Sequence, residues 1–276
     1  MMSPLRRLRH RIMVSTPARV PLIWLRHRGL DDADAIIASY PRSGNTWLRF
    51  MLAELFSGHP TDFENIDRIV PEMGLQVHAQ GVLPNQGRLI KSHECYRTQY
   101  KRAVYLVRDI RDVALSNYSR ECSVGAHFMT FDEYLPLFLE GTTSGFGSWQ
   151  RHVRSWIRSP LNERGAMIIV RFEDIRRDPV YELSRILTFL GFHHAASEIN
   201  SAVNSNSLES MRRKEDSATK VPAGNHSEAG RFVRTGSVGG WKNKLNAEHL
   251  QLIDEYAGGV LNEMGYPTAL EVQRVS

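Results

Sequence analysis

The chain has 276 residues, of which 42% are hydrophobic and 24% are charged. This composition is ordinary for a globular protein, and the length allows one large α/β domain with a substantial core. Two cysteines, Cys95 and Cys122, exclude a disulfide framework, and none of the eleven histidines shows a zinc-binding spacing. We therefore expect no metal site and a cytoplasmic location, where thiols stay reduced.

The net charge of +5 is located in an N-terminal arm, residues 1–30, rather than spread over the chain. This arm holds seven arginines and no acidic residue, which leaves 28 basic against 30 acidic side chains, a balance of −2, in residues 31–276. The arginines are Arg6, Arg7, Arg9, Arg11, Arg19, Arg26 and Arg28. We expect residues 31–276 to form a single domain with no nucleic-acid partner.

The arm is predicted to lie, partly ordered, on the surface of this domain. Its longest apolar run, Leu22 to Leu25, is too short for a membrane span or a signal-peptide core. Pro4, Pro17 and Pro21 should interrupt any long amphipathic helix. Peripheral contact between the arginines and an anionic membrane surface is the alternative interpretation.

The stretch from Ile36 to Phe56 predicts a strand, a tight loop and a helix. Ile36 and Ile37 form a short apolar run typical of a buried strand, and Pro41 and Gly44 then provide turn chemistry. Apolar residues recur at helical spacing afterwards. This geometry aims backbone N–H groups and a helix N-terminus at one point, which predicts a site for a phosphate or sulfate oxyanion. Further donors are Arg42, Ser43, Asn45 and Thr46.

The loop is similar to a Walker A loop but does not match it. Asn45 rather than Lys follows Gly44, Ser39 stands at the position of the first Gly, and Arg42 supplies the cation. No strand ending in an acidic Walker B residue stands out. A phosphotransferase that uses ATP and Mg²⁺ is therefore disfavoured, although it stays an alternative, as does a non-catalytic module that binds anions or a membrane surface.

Short apolar strands alternate with helical segments along the rest of the chain. The predicted strands are at 35–38, 88–93, 103–107 and 167–170, and the predicted helices are at 45–56, 113–118, 131–139, 148–157, 179–190 and 247–261. Such alternation predicts an α/β fold with a central parallel sheet covered by helices on both faces, similar to the P-loop NTPases. Two segments look irregular: 59–87, a shaped loop with one short helix, and 211–240, a mobile cover.

Basic side chains follow three of these strands. Arg42 follows the first strand, Lys91 and His93 lie at the end of the second, and Arg108 follows the third. Ligands of parallel α/β sheets bind beyond the carboxyl ends of the strands. We therefore expect these groups to converge on one enzyme site.

Several separated motifs, in order, resemble the sulfotransferases that use 3′-phosphoadenosine 5′-phosphosulfate (PAPS). YPRSGNTW at 40–47 is similar to the 5′-phosphosulfate loop of that family, and LVRDIRDVALS at 106–116 to its 3′-phosphate motif. KSH at 91–93 is similar to the strand with the catalytic histidine, and FVRTGSVGGWKNKL at 232–245 to the late Gly-rich motif. The resemblance covers about residues 35 to 265.

This resemblance implies a role for each matching residue. The loop with Ser43, Gly44, Asn45 and Thr46 would hold the phosphosulfate, and Arg42 would neutralise charge on the bridging oxygen. Trp47 would stack on adenine. The 3′-phosphate would be bound by Arg108, Ser116, Arg234, Thr235 and Gly236. Further adenine contacts would come from Phe172, Asn206 and Leu208, where cytosolic members have Tyr, Thr and Phe.

The resemblance implies that His93 is the general base and that Lys91 stabilises developing charge beside it. His127 is the reserve candidate for the base. The reaction would be an in-line displacement at sulfur, with PAPS as donor and no metal. The acceptor would be the hydroxyl, or an amine, of a small molecule, a sugar or a lipid-linked alcohol. Because KNKLNAEHLQ from Lys242 matches the dimerisation motif of the family poorly, the oligomeric state stays open.

Overall fold

The computed structural model describes residues 16–123, 129–219, 231–234, 236–269 and 271, with side chains from Val20 onward. Its centre is a parallel sheet of four strands, β1 (Ala35–Ser39), β2 (Leu89–Ser92), β3 (Ala103–Val107) and β4 (Met167–Arg171). The strand order is β2-β1-β3-β4, and Ile37 of β1 lies opposite Lys91 of β2 and Val104 of β3. The strands are short, mostly apolar runs because both faces of the sheet are buried.

Helices precede, connect and follow these strands. The α-helices are α1 (Thr16–Arg26), α2 (Asn45–Ser57), α3 (Ile66–Ile69), α4 (Ile110–Ser123), α5 (Phe131–Glu140), α6 (Trp149–Ile157), α7 (Pro160–Glu163), α8 (Phe172–Arg177), α9 (Pro179–Leu190), α10 (Ala196–Ser205), α11 (Leu208–Ser217) and α12 (Ala247–Glu263). Two 3₁₀ helices span Gln76–His78 and Gly240–Asn243.

The sheet separates two apolar clusters. One face, with Ile36 and Ala38, packs against side chains of α4, α5, α6 and α12, while the opposite face, with Ala35 and Ile37, packs against α2, α9, α10 and α11. Neighbouring residues of β1 belong to different clusters because successive side chains of a strand point to opposite faces of the sheet. The predicted fold class, a central parallel sheet with helices on both faces, is confirmed.

The structure differs from the sequence-based expectations in two segments. Helix α1 continues through Pro21, which was expected to interrupt a helix, and it packs on the domain through Ile23 and His27. The expectation of a mobile cover from 211 onward is wrong for its first part, because α11 is a helix with Met211 buried. The polar composition of this segment predicted a mobile cover, but one buried residue per turn is enough to anchor a short helix such as α11. No helix in the described ranges is long and apolar enough to cross a membrane.

Candidate active site

The loop between β1 and α2 holds an uncommon backbone conformation. Arg42 has a φ of 71° and Gly44 a φ of 91°, so both lie in the left-handed region. Glycine is required at position 44, because an added Cβ would lie 2.4 Å from Cδ2 of Phe172. The turn lets α2 begin at Asn45 with its N-terminus facing the carboxyl edge of the sheet. It therefore forms the strand–loop–helix anion site that the sequence predicts.

A cavity of about 800 Å³ opens at this edge, and it brings most of the predicted site residues together. Those in its wall are Arg42, Gly44, Asn45, Thr46, Trp47, Lys91, His93, Arg108, Ser116, Phe172, Leu208, Arg234 and Gly236. Ser43 and Asn206 are buried next to this wall rather than part of it. Thr235 and the reserve base His127 lie outside the described residues.

Arginines concentrate positive charge at one end of the cavity. Nε of Arg42 donates to Oγ of Ser116 over 3.1 Å, and Nη1 of Arg108 donates to the Arg42 carbonyl over 3.0 Å. Burial, and then the nearby charges of Arg120, Arg234 and Arg108, lower the pKa of Arg42 to about 10. Such mutual repulsion is relieved by a polyanion, so the cluster is suited to bind phosphate or sulfate groups.

The segment after residue 231 closes over the arginines through backbone contacts. Nη2 of Arg108 donates to the Ser237 carbonyl over 2.8 Å. The carboxylate of Asp112, one turn into α4, accepts from the backbone N–H groups of Gly239 and Trp241. The guanidinium of Arg111 lies 3.9 Å from the ring centroid of Trp241. These contacts tie the late Gly-rich segment to the helix that follows β3.

An aromatic wall lies beyond the loop. Nε1 of Trp47 donates to the Asn206 carbonyl over 2.8 Å, and its ring meets Phe172 edge-on at 6.1 Å. The Asn206 side chain points away from the cavity, since it pairs with Lys214 and the Ala202 carbonyl. Asn206 therefore orients Trp47 through its backbone, whereas Trp47, Phe172 and Leu208 line the cavity.

His93 is held as a neutral ring with one free nitrogen. Its Nδ1–H donates to the Ser39 carbonyl over 2.8 Å, and Nε2 makes no hydrogen bond to any described residue. Burial, and then the positive charge of Lys91, lowers the pKa of His93 to about 4. Behind it, Nε2 of His152 donates to the His93 carbonyl over 3.1 Å. At neutral pH His93 is therefore a neutral ring whose Nε2 can accept a hydrogen bond.

Lys91 is paired with a residue that the sequence did not single out. Its Nζ lies 2.5 Å from Oε1 of Glu72, and Arg49 lies 3.7 Å from the same carboxylate. A backbone bridge joins Glu72 to Lys91, with hydrogen bonds from Lys91 N to Pro71 O and from Met73 N to Lys91 O. The lysine charge lowers the pKa of Glu72 to about 2, against the effect of burial.

Asp112 lines the cavity, Arg120 acts on the charge of Arg42, and Glu72 pairs with Lys91, yet local sequence signals do not reveal all three. Arg120 follows Ser116 by one helical turn, so the spacing i, i+4 from a site residue could have indicated it. Asp112 could have been found in the same way from Arg108. Glu72 lies in the irregular segment 59–87, where no periodicity indicates which side chain turns inward.

Three buried donors in and around the cavity make no hydrogen bond to any described residue: Oγ of Ser43, Nε of Arg108 and Nη1 of Arg120. An unpaired buried donor is costly, and such groups are usually satisfied by a ligand or water. All three belong to the loop or the arginine cluster. The donor set therefore fits a nucleotide with two anionic groups.

Comparison with known proteins agrees with this geometry. A family model described as "Sulfotransferase domain" matches residues 32–265. Rat sulfotransferase 1A1 is 25% identical over 264 residues, covering 87% of this chain and 88% of the rat protein. A guinea pig 3-beta-hydroxysteroid sulfotransferase is 26% identical over 255 residues, covering 87% and 86%.

Solved structures share the fold. Mouse sulfotransferase SULT7A1 in complex with adenosine 3′,5′-bisphosphate (PAP) superimposes with a TM-score of 0.64 at 23% identity, covering 86% of this chain and 87% of the mouse chain. Retinol dehydratase in complex with androsterone and PAP gives a TM-score of 0.66 at 19% identity, covering 86% and 83%. Because the family model spans most of the sequence and the arginine cluster suits a nucleotide phosphorylated at two positions, this chain belongs to the sulfotransferase domain family, whose enzymes transfer a sulfuryl group from PAPS.

Proposed function

We propose that this enzyme sulfates the hydroxyl or the amine of a small-molecule, sugar or lipid-linked acceptor, with His93 as the general base. The observation that carries the proposal is the pair of groups at one cavity wall: a neutral His93 with a free Nε2, and Lys91 two residues earlier on β2. A neutral imidazole can take the acceptor proton without first losing its own. The family assignment argues against the ATP-dependent alternative.

The chain's own groups divide the work of the reaction. His93 Nε2 receives the acceptor proton as the acceptor atom bonds to sulfur and the bond from sulfur to the bridging oxygen breaks. Lys91 and Arg42, both in the cavity wall, supply positive charge as negative charge passes to the leaving oxygen. The products are the sulfated acceptor and PAP.

We assign nucleotide binding to the loop and the arginine cluster. The backbone N–H groups of residues 42–46 with the Ser43 hydroxyl would hold the 5′-phosphosulfate, and Trp47 with Phe172 would contact the base. Arg108, Ser116 and Arg234 would bind the 3′-phosphate, with Gly236 allowing close backbone approach. The orphaned donors on Ser43 and Arg108 support this assignment.

The acceptor class is supported by the apolar part of the cavity wall. Leu115, Tyr118 and Phe131 give this wall aromatic and aliphatic character, and Asp132 and Lys244 add polar groups. The guinea pig relative is named for a hydroxysteroid, which is an apolar alcohol that such a wall could contact. The cytoplasmic location and the domain bounds 31–276 stay predictions.

The test separates donor binding from chemistry. His93→Ala is expected to lower kcat for sulfate transfer from PAPS to a panel of phenols, steroids and sugars by about 10²- to 10⁴-fold, while the affinity for PAP measured by calorimetry stays within about twofold. His59→Ala, at an exposed position, is the matched control. Turnover of His93→Ala close to wild type would remove His93 from the mechanism.

A further inference from the structure

Exposed apolar side chains gather on α1 and its neighbour. In the described part of the chain, nine large apolar side chains are exposed, and five of them lie here, with Trp24 the most open at 65%. We define the apolar patch as Val20, Trp24, Leu25, Leu75 and Val77. Single exposed apolar residues need no explanation, but a cluster indicates an interaction surface.

Contacts between α1 and the 3₁₀ helix Gln76–His78 make the patch one surface. Nε2 of Gln76 donates to the carbonyls of Arg26 and Arg28, and a Cβ built on Gly29 would lie 3.5 Å from Cγ2 of Val77. Val77 therefore sits beside the end of α1. The guanidinium of Arg28 lies 5.7 Å from the Trp24 ring centroid, so a cation borders the patch.

The opposite face of α1 is anchored to the domain. Ile23 and His27 are buried, and Nε2 of His27 lies 2.7 Å from the hydroxyl of Tyr100. Arg26 donates through Nε to the Met73 carbonyl over 2.9 Å. Because these contacts fix the rotation of α1, the exposed apolar face is a stable feature of the fold and not a result of fraying.

The charge of the segment that contains α1 indicates what kind of partner the apolar patch binds. The 30 residues that include α1 contain seven arginines and no acidic residue. Four of them, Arg6, Arg7, Arg9 and Arg11, precede α1 in the sequence. A segment rich in arginine and free of acidic residues that also carries a helix with an exposed tryptophan is typical of those that lie in the interface of an anionic bilayer.

We propose that the apolar patch docks this enzyme on an anionic membrane surface. The apolar side chains enter the boundary between headgroups and acyl chains, and the arginines bind the negatively charged headgroups. Docking through this face uses residues outside the cavity wall, so it leaves the nucleotide site unchanged. The proposal is independent of the identity of the acceptor.

Vesicle co-sedimentation of the full chain tests the proposal. We expect binding to vesicles of phosphatidylcholine with 30% phosphatidylserine, and binding at least tenfold weaker to pure phosphatidylcholine or to the anionic vesicles in 1 M salt, since the Debye length then falls to about 3 Å. Equal binding to neutral and anionic vesicles, or none to either, would overturn the proposal.

Variants locate the binding surface. The triple variant Trp24→Ser, Leu25→Ser, Val77→Ser is expected to lose at least tenfold in vesicle affinity, whereas Tyr181→Ser, at a position 60% exposed on α9, keeps wild-type affinity. Retained stabilisation by PAP in a thermal shift assay verifies that the triple variant is folded. A folded triple variant that still binds anionic vesicles as wild type does would refute the assignment to this patch.

Three further measurements distinguish a membrane from other occupants of the patch. Trp24 is the most exposed tryptophan, so anionic vesicles should shift the emission to the blue in the wild type but not in Trp24→Phe. Deleting residues 1–15 should weaken vesicle binding; stronger binding would mean that this segment covers the patch itself. If sedimentation shows a dimer that the triple variant abolishes, the occupant is a second copy of the chain and the membrane proposal is wrong.

Discussion

The buried histidine next to His93, His152, should limit the stability of this enzyme in acid. His152 is fully buried, and its ring lies between Tyr105, whose hydroxyl is 3.0 Å from Nδ1, and the His93 carbonyl, 3.1 Å from Nε2. Burial, and then the neighbouring His93, lowers its pKa to about 3. Since Nε2 donates and Nδ1 accepts, the bond from the Tyr105 hydroxyl to Nδ1 requires the neutral ring.

The sign of the effect follows from the direction of this pKa shift. The pKa of His152 is lower in the folded state than the value of about 6.5 in the unfolded chain, so the unfolded state binds the proton more readily. The stability that His152 contributes is present above pH 6.5 and is lost as the pH falls toward the folded-state pKa. Between pH 7.5 and pH 5.0 the loss is about 2 kcal/mol for this one residue.

A substitution isolates this contribution. His152→Gln keeps a donor and an acceptor near the ring positions but cannot take a proton. The variant should start less stable at neutral pH because the glutamine fills the site imperfectly, yet lose about 2 kcal/mol less than wild type between pH 7.5 and 5.0. His93, whose pKa is also lowered, adds a loss of the same sign in both proteins.

Urea unfolding at the two pH values measures the difference, with His59→Gln at an exposed position as the control. The quantity compared is the change in the free energy of unfolding between the two pH values. A packing defect that lowers stability equally at both values therefore does not affect the result. If wild type and His152→Gln lose the same free energy of unfolding on acidification, the account of His152 as a buried neutral ring is wrong.

Two further substitutions address the cavity. Gly44→Ala should weaken PAP binding by at least about tenfold in calorimetry, because its Cβ would lie 2.4 Å from Phe172 and its φ is 91°; wild-type affinity would mean that the loop conformation is not needed. Glu72→Gln should lower kcat by about tenfold with PAP affinity retained, since Lys91 loses the carboxylate that opposes the effect of burial on its pKa. If kcat of Glu72→Gln equals that of the wild type, the pair between Glu72 and Lys91 does not serve the reaction.

The local pattern of apolar and capping residues was sufficient to predict much of the fold. The strand predicted at 103–107 coincides with β3, and the helix predicted at 179–190 coincides with α9, which Asp178 caps. These elements are predictable because apolar runs and caps act over a few residues. The basic groups after β1, β2 and β3 were expected on one rim, and the parallel strand order places them there.

Other features depend on residues far apart in the chain. Helix α11 was expected to be irregular, and it is held by contacts such as that between Lys214 and Glu54, 160 residues away. Glu72 reaches Lys91 from a segment without periodicity. No local pattern encodes such pairings, because they form only when the chain has folded.

The amino-acid sequence by itself determined the parallel α/β fold, the family and the set of residues at the carboxyl edge of the sheet, since these follow from patterns and motifs that are contiguous along the chain. Only the tertiary structure decided the protonation state of His93, the partner of Lys91 and the exposure of the apolar face of α1. Each of these depends on burial and on charges brought together by packing, and the physical reason is that desolvation and Coulomb interactions act through space rather than along the sequence.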